Sequence, residues 1–131
     1  MIVVDASVLA TALSDDGSDG KRARARLHAE SVLCAPEVID LEVAMAWRRQ
    51  LSAGWLDADG ARQALDDLAA LNLVRAPHLP LIPRIWELRD TLTPYDAAYV
   101  ALAEALQATL VTADARSARA PGLRCAVELM Q

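Results

Sequence analysis

Apolar positions along the chain alternate between two rhythms. Ile2 to Asp5 opens as a β-branched run without polar alternation, the pattern of a strand buried on both faces of a parallel sheet, with Asp5 at its carboxyl end. Ala6 to Leu13 shifts to helical spacing and predicts a helix. The segment Ser14-Asp15-Asp16-Gly17-Ser18-Asp19-Gly20 follows as a loop, since its Asp and Gly content favours turns. Lys21 to Ser31 predicts a second helix and Val32 to Ala35 a short strand.

Pro36 suits the first turn of a helix, and Glu37 to Leu51 carries apolar residues through helical periods until Gly54 ends it. Leu56 to Leu71 predicts a fourth helix, Asn72 to Arg75 a strand, and Leu81 to Leu92 a fifth helix after Pro77, Pro80 and Pro83. Thr93-Pro94-Tyr95-Asp96 supplies an N-cap, a proline at the first helical position and an acid three residues after the cap, leading into Ala97 to Gln107. Thr109 to Thr112 reads as a buried strand ending just before Asp114, and Leu123 to Val127 as the last strand. Strands separated by helices predict an α/β fold of three layers. Its centre is a parallel sheet of four to five strands flanked by helices, formed as one domain over residues 1–131.

Composition narrows the class. The chain has 131 residues, 54% hydrophobic and 24% charged, with no repeat or low-complexity tract, which excludes a disordered chain and a solenoid. The first residues lack a basic segment, and Asp5 interrupts the apolar run, so no export signal is expected. Apolar stretches such as Ala97 to Ala103 fall well short of the ~18 residues of a membrane span. A cytoplasmic protein with no membrane partner is the expectation. Cys34 and Cys125 form no C-x-x-C pair and read as small buried hydrophobes.

Four acids carry the candidate chemistry. In open α/β sheets ligands bind beyond the carboxyl ends of the strands, where Asp5 and Asp114 fall independently, although an acid there is more often a cap or turn former. Glu42 lies among Leu41, Val43, Ala44, Met45, Ala46 and Trp47, with Val38, Met45 and Ala46 on its helical face, so it is expected either to pair with a base or to hold a cation; a Glu at the margin of the apolar stripe is the plainer alternative. Asp96 is fully explicable as a helix-capping residue.

The shared arrangement also matches a family. Ile2-Val3-Val4-Asp5-Ala6-Ser7, Pro36-Glu37-Val38 through Glu42-Val43, Thr93-Pro94-Tyr95-Asp96 through Ala103, and Leu110-Val111-Thr112-Ala113-Asp114 resemble, in order and spacing, the PIN domains and among them the VapC toxins of toxin-antitoxin modules. The resemblance covers nearly the whole chain. It implies that Asp5, Glu42, Asp96 and Asp114 are the acidic catalytic and metal-holding residues, with Ser7 and Thr112 as supporting hydroxyls. It further implies endoribonuclease activity on RNA, a homodimer, and inhibition by a cognate antitoxin protein. Oxygen ligands select Mg²⁺ or Mn²⁺, and Mg²⁺ needs only one or two protein carboxylates. Asp5, Asp96 and Asp114 would contact the metal directly or through water, and Glu42 would orient a water or hold a second ion, giving metal-assisted phosphodiester hydrolysis.

The net charge of −5 is unusual for a nucleic-acid binder, but bound cations would offset a carboxylate cluster. Of the 13 basic residues only Lys21 is a lysine. Arg116 and Arg119 are expected beside the substrate, as Arg48 and Arg49 also could be; the run Lys21, Arg22, Arg24, Arg26 is ordinarily a solvated face. His28 and His78 have no partner motif, and Trp47, Trp55 and Trp86 are core residues or protein-contact surface.

Rival readings fare worse. A receiver-type phospho-acceptor domain needs a lysine late in the chain, and the only lysine is Lys21. A dehalogenase-type phosphatase needs an Asp-x-Asp where the chain has Asp5-Ala6-Ser7, and no Gly-rich phosphate loop is present. A non-catalytic PIN-like binding protein would have no use for all four acids.

Overall fold

The chain, described over residues 1–131 as a computed structural model, is organised by a parallel sheet in the order β3-β2-β1-β4-β5. Its strands are β1 (Ile2–Val4), β2 (Leu33–Pro36), β3 (Leu73–Ala76), β4 (Thr109–Thr112) and β5 (Val127–Leu129). The pairings are Ile2 with Leu33, Val4 with Val111, Leu33 with Leu73 and Leu110 with Val127. Successive side chains of a strand point to opposite faces, so the complete burial of Ile2, Val3 and Val4 means that both faces of the sheet are covered.

The helices are α1 (Ala6–Ser14), α2 (Ser18–His28), α3 (Ile39–Ser52), α4 (Ala58–Ala70), α5 (Ile82–Glu87), α6 (Pro94–Leu106) and α7 (Ala115–Ala118). Helix α1 packs on α2, α3 and α4, while α6 lies across β1, β2 and β4 with α5 beside it. Seven consecutive residues of α6, Ala97 to Ala103, are buried, and their mostly small side chains let the helix approach the sheet closely. On α3 the buried stripe is Ile39, Val43 and Trp47, and the Trp47 indole N–H donates to the Ala10 carbonyl at 3.3 Å, joining α3 to α1. No helix is long and apolar enough to cross a membrane.

The α/β class and the parallel sheet agree with the sequence, but several boundaries do not. Pro36 ends β2, paired with Ala76, rather than opening a helix. Strand β1 pairs with β2 only at Leu33 and Cys34, so the missing N–H of Pro36 interrupts no ladder on that side. The proline-rich turn forms a short 3₁₀ segment at Leu79–Leu81, and α5 ends at Glu87 instead of reaching Leu92, with Leu88 and Leu92 buried in turns beyond it. The last strand starts at Val127, because Gly122 turns at φ 84° and the Arg124 N–H is taken by Glu104. Cys34 is buried and Cys125 only half-buried, both as free thiols.

Helix α2 begins at Ser18, inside the expected loop. The Asp15 carboxylate accepts from the Gly20 N–H at 2.7 Å, and Arg24 donates to the carbonyls of Ala12 and Asp15, folding the chain tightly between α1 and α2. A Cβ on Gly20 would lie 1.9 Å from the Asp15 carbonyl oxygen, so only glycine fits. Gly20→Ala is therefore expected to destabilise the protein by about 2 kcal/mol, the typical cost of overpacking; the shift of the urea midpoint measures it, and an unchanged midpoint would remove this close approach from the account.

Candidate active site

The sheet order means that the chain proceeds from β1 through β2 to β3 on one side and returns to β4 and β5 on the other. The carboxyl ends of β1 and β4 are therefore neighbours whose following segments diverge, the usual position of a crevice in such sheets. The Asp5 N–H is fixed to the Val111 carbonyl at 3.0 Å, and the residue is the N-cap of α1. Asp114 caps α7 and Thr93 caps α6, so three helix N-termini open at this end of the sheet.

Hydroxyls link the two strand ends. Thr112, fully buried, donates its hydroxyl proton to Asp5 Oδ2 and accepts the Asp114 N–H at 3.0 Å. Ser7 donates its N–H to Asp5 Oδ1 at 3.4 Å and accepts the Ala113 N–H at 3.1 Å. Both hydroxyls expected from sequence thus hold the crevice together. Asp114 accepts from the Arg116 N–H at 3.0 Å and from the Ser117 hydroxyl at 2.8 Å.

Glu42 reaches the site from α3, at the margin of its buried stripe rather than within it. Met45, expected to share an apolar face with it, is 44% exposed. Glu42 pairs with no base; the hydroxyl of Tyr99 donates to its Oε1 at 2.6 Å. The Asp96 N–H donates to Thr93 at 3.2 Å, as the cap predicts, but the reciprocal bond from Thr93 to the Asp96 carboxylate is not made. Capping therefore does not occupy that carboxylate.

Electrostatics group three of the four acids. Burial pushes the Asp5 carboxyl up from its ordinary range; hydrogen bonds from Thr112 and Ser7 offset this in part, and repulsion from Asp96 adds to it. Glu42 is also raised, first by burial and then by Asp5 and Asp96 against the lowering bond from Tyr99. The Tyr99 phenol is driven far up by burial, its bond to Glu42, and the charges of Glu42, Asp5 and Asp96. Asp114 stands apart: burial acts to raise it, but the bonds from Ser117 and Arg116 prevail and hold it below the usual carboxylate range. No three acid, His or Cys side chains converge into a ready-made cage. Two or three oxygen ligands completed by water and phosphate make a smaller demand, which this donor set meets.

Other sequence-marked residues scatter. The side chains of Arg116 and Arg119 are exposed beside Asp114. In the basic run, Arg22 pairs with Asp19, Arg24 binds backbone carbonyls, and Arg26 joins Glu30 and Glu128. Those three arginines hold the scaffold or its surface. Tyr99 and Ser117 were not marked by the sequence; the signals available were their i+3 spacings from Asp96 and Asp114. The largest surface hollow, about 780 Å³, lies at the amino ends of the strands near Arg84, Glu104 and Thr109, where Arg84 already pairs with Glu104.

The fold and crevice define a class. The family model of the PIN domain matches residues 2–123, and the chain belongs to the PIN-domain family. Within it the relatives are VapC ribonucleases. Ribonuclease VapC1 of Mycobacterium tuberculosis is 44% identical over 130 residues, covering 98% of this chain and 97% of that protein. Ribonuclease VapC9 of the same species is 42% identical, covering 99% and 98%. Two solved structures share the fold: VapBC2 from Rickettsia felis bound to a promoter DNA fragment (TM-score 0.71, 16% identity, 100% of each chain) and PAE2754 from Pyrobaculum aerophilum (TM-score 0.70, 22% identity, 96% of this chain and 81% of that one).

Asp5 and Glu42 are raised acids, so their ionised forms cost the folded state stability above the raised values, and that stability returns as pH falls through them. Asp114 and Glu104, being lowered, act oppositely and lose their stabilising contribution at low pH. Neutralising one raised acid at pH 7 removes the cost without acidification. Asp5→Asn, which keeps a capping side chain, is expected to raise the melting temperature of the metal-free protein by a few degrees, the response to about 1 kcal/mol. Differential scanning calorimetry in chelator checks this; a lowered melting temperature would mean that burial and repulsion do not make the Asp5 charge costly.

Proposed function

We propose that this protein is a divalent-metal-dependent endoribonuclease acting as the toxin of a toxin-antitoxin module. The observation that carries the reading is the mutual repulsion of Asp5, Glu42 and Asp96 beside the β1–β4 crevice, without a basic neighbour among the groups that shift them, in a chain 44% identical to a VapC ribonuclease. Like charges held together in a half-buried setting of this kind are where a cation is stabilising.

Asp5, Asp96 and Asp114 would hold Mg²⁺ or Mn²⁺ directly or through water, with Glu42 placing a water or a second ion. Bound there, the ion supplies Lewis-acid stabilisation of phosphate charge and acidifies an attacking water. Thr112 and Ser7 keep the two strand-end acids in register. Arg116 and Arg119, with no acidic partner of their own, face the substrate as phosphate contacts. The residues act as one domain in the cytoplasm, in keeping with two free cysteines.

Asp5→Asn and Asp96→Asn are each expected to lower Mg²⁺-dependent cleavage of RNA by at least about 100-fold, the scale of losing a directly acting catalytic group. Far-UV circular dichroism is expected to stay unchanged. Full cleavage by either folded variant would sink the assignment, and cleavage that persists in chelator would sink the metal requirement.

Two protein partners complete the reading. Leu41, Met45, Ile82, Trp86 and Tyr95 present exposed apolar side chains on α3, α5 and the start of α6, with the Arg89 guanidinium 5.0 Å over the Trp86 ring, and we assign them to the isologous face of a homodimer. A separate hollow of about 600 Å³ places Trp55, 85% exposed, among Asp15, Asp16, Asp57 and Asp67, and suits an antitoxin segment carrying apolar and basic side chains. Trp86→Glu is expected to convert a dimer into a 14.1 kDa monomer. Light scattering after size exclusion reads this directly, and a variant still of twice that mass would move the pairing elsewhere.

A further inference from the structure

Tyr99 has more structure around its hydroxyl than core packing requires. Its ring is 2% exposed on α6, one turn after Asp96, so both residues lie on the same face of the helix. The hydroxyl crosses to α3 and donates to Glu42 Oε1 at 2.6 Å, and no other protein group hydrogen-bonds to that carboxylate. One bond therefore connects the two helices that supply Glu42 and Asp96, and it consumes a single lone pair of Glu42, leaving Oε2 unengaged.

The type of donor matters. A lysine or arginine at this position would neutralise the acidic cluster and compete with a cation, whereas a phenol is a neutral donor that restrains the carboxylate and leaves its charge in place. Phenylalanine would fill the same core volume without the restraint, so packing alone does not select tyrosine.

We propose that Tyr99 is a positioning residue of the cation site: its hydroxyl fixes the rotamer of Glu42 and the spacing of the α3 and α6 carboxylates, so that Glu42 is held toward the ion site that Asp96 serves. The proposal rests on the reading of these acids as a metal site.

The test is direct Mn²⁺ binding by isothermal titration calorimetry without RNA, on wild type, Tyr99→Phe, Glu42→Gln and the double variant. Tyr99→Phe is expected to bind Mn²⁺ about tenfold more weakly, the usual loss when a group that orients a ligand is removed. In RNA cleavage it is expected to need correspondingly more Mn²⁺ for half-maximal rate, with the saturated rate largely kept. In the Glu42→Gln background the same substitution is expected to cause no further loss, because the hydroxyl acts only through Glu42. Wild-type affinity or tighter binding in Tyr99→Phe overturns the proposal while leaving the metal site standing, and so does an equal loss in the Glu42→Gln background. Absence of Mn²⁺ binding by the wild type overturns the metal reading itself and the proposal with it. Should Tyr99→Phe not fold, loss of Mn²⁺ binding in Glu42→Gln supports the role of Glu42 that the clamp serves, and full binding there overturns it.

Discussion

The reversal of strand order between β1 and β4 is the constraint from which the site follows. Because β1 is central and bonded on both sides, its carboxyl end has no freedom, and the Asp5 N–H is held by Val111 before the chain turns into α1. The next side chain along β4 that faces this point is Thr112, so a carboxylate and a hydroxyl meet by register alone. Helices α3 and α6 then bring Glu42 and Asp96 close enough to repel Asp5. The scaffold is apolar to its centre, with 32 buried residues in one cluster, and that core supplies the stability against which the repulsion is held.

The fold moderates this repulsion without removing it. Asp5 caps α1 and accepts from Ser7 and Thr112, and Glu42 accepts from Tyr99, so each buried carboxylate has a neutral donor and none has a basic one. Neutral donors satisfy the oxygens while leaving the charge uncompensated, which on the proposed reading is the charge a cation would meet. Asp114 differs. Its bonds from Ser117 and Arg116 already favour the ionised form, so a cation there would gain less from relieving strain and would find a carboxylate ionised in advance.

Strands β1 and β4 were legible because every residue in them is apolar or β-branched, the mark of burial on two faces. Strand β5 was misplaced because Val127, Glu128 and Leu129 form a half-buried edge with no such mark, and Arg84 and Glu104, from distant elements, decide where the preceding loop ends. The early start of α2 depends on a backbone approach at Gly20 that composition reads only as turn propensity. At the site, Asp5 and Asp114 follow from strand ends, whereas Ser7 and Thr112 came only through the resemblance and Asp96 needed it because capping explained that residue equally well. Tyr99 was invisible for a related reason: a tyrosine on an apolar helix face reads as core, and its acceptor lies 57 residues away.

The net charge of −5 bears on how the proposed RNA substrate would be held. Arginine is abundant here, but Arg24, Arg26, Arg75 and Arg84 are fixed to carbonyls or acids that join α2 to α1 and β5, β3 to α3, and α5 to α6. They neutralise the scaffold's own acids. On the proposed reading, attraction for RNA falls to arginines outside these pairs, among them the exposed Arg48, Arg49, Arg116 and Arg119, and to cations held in the crevice.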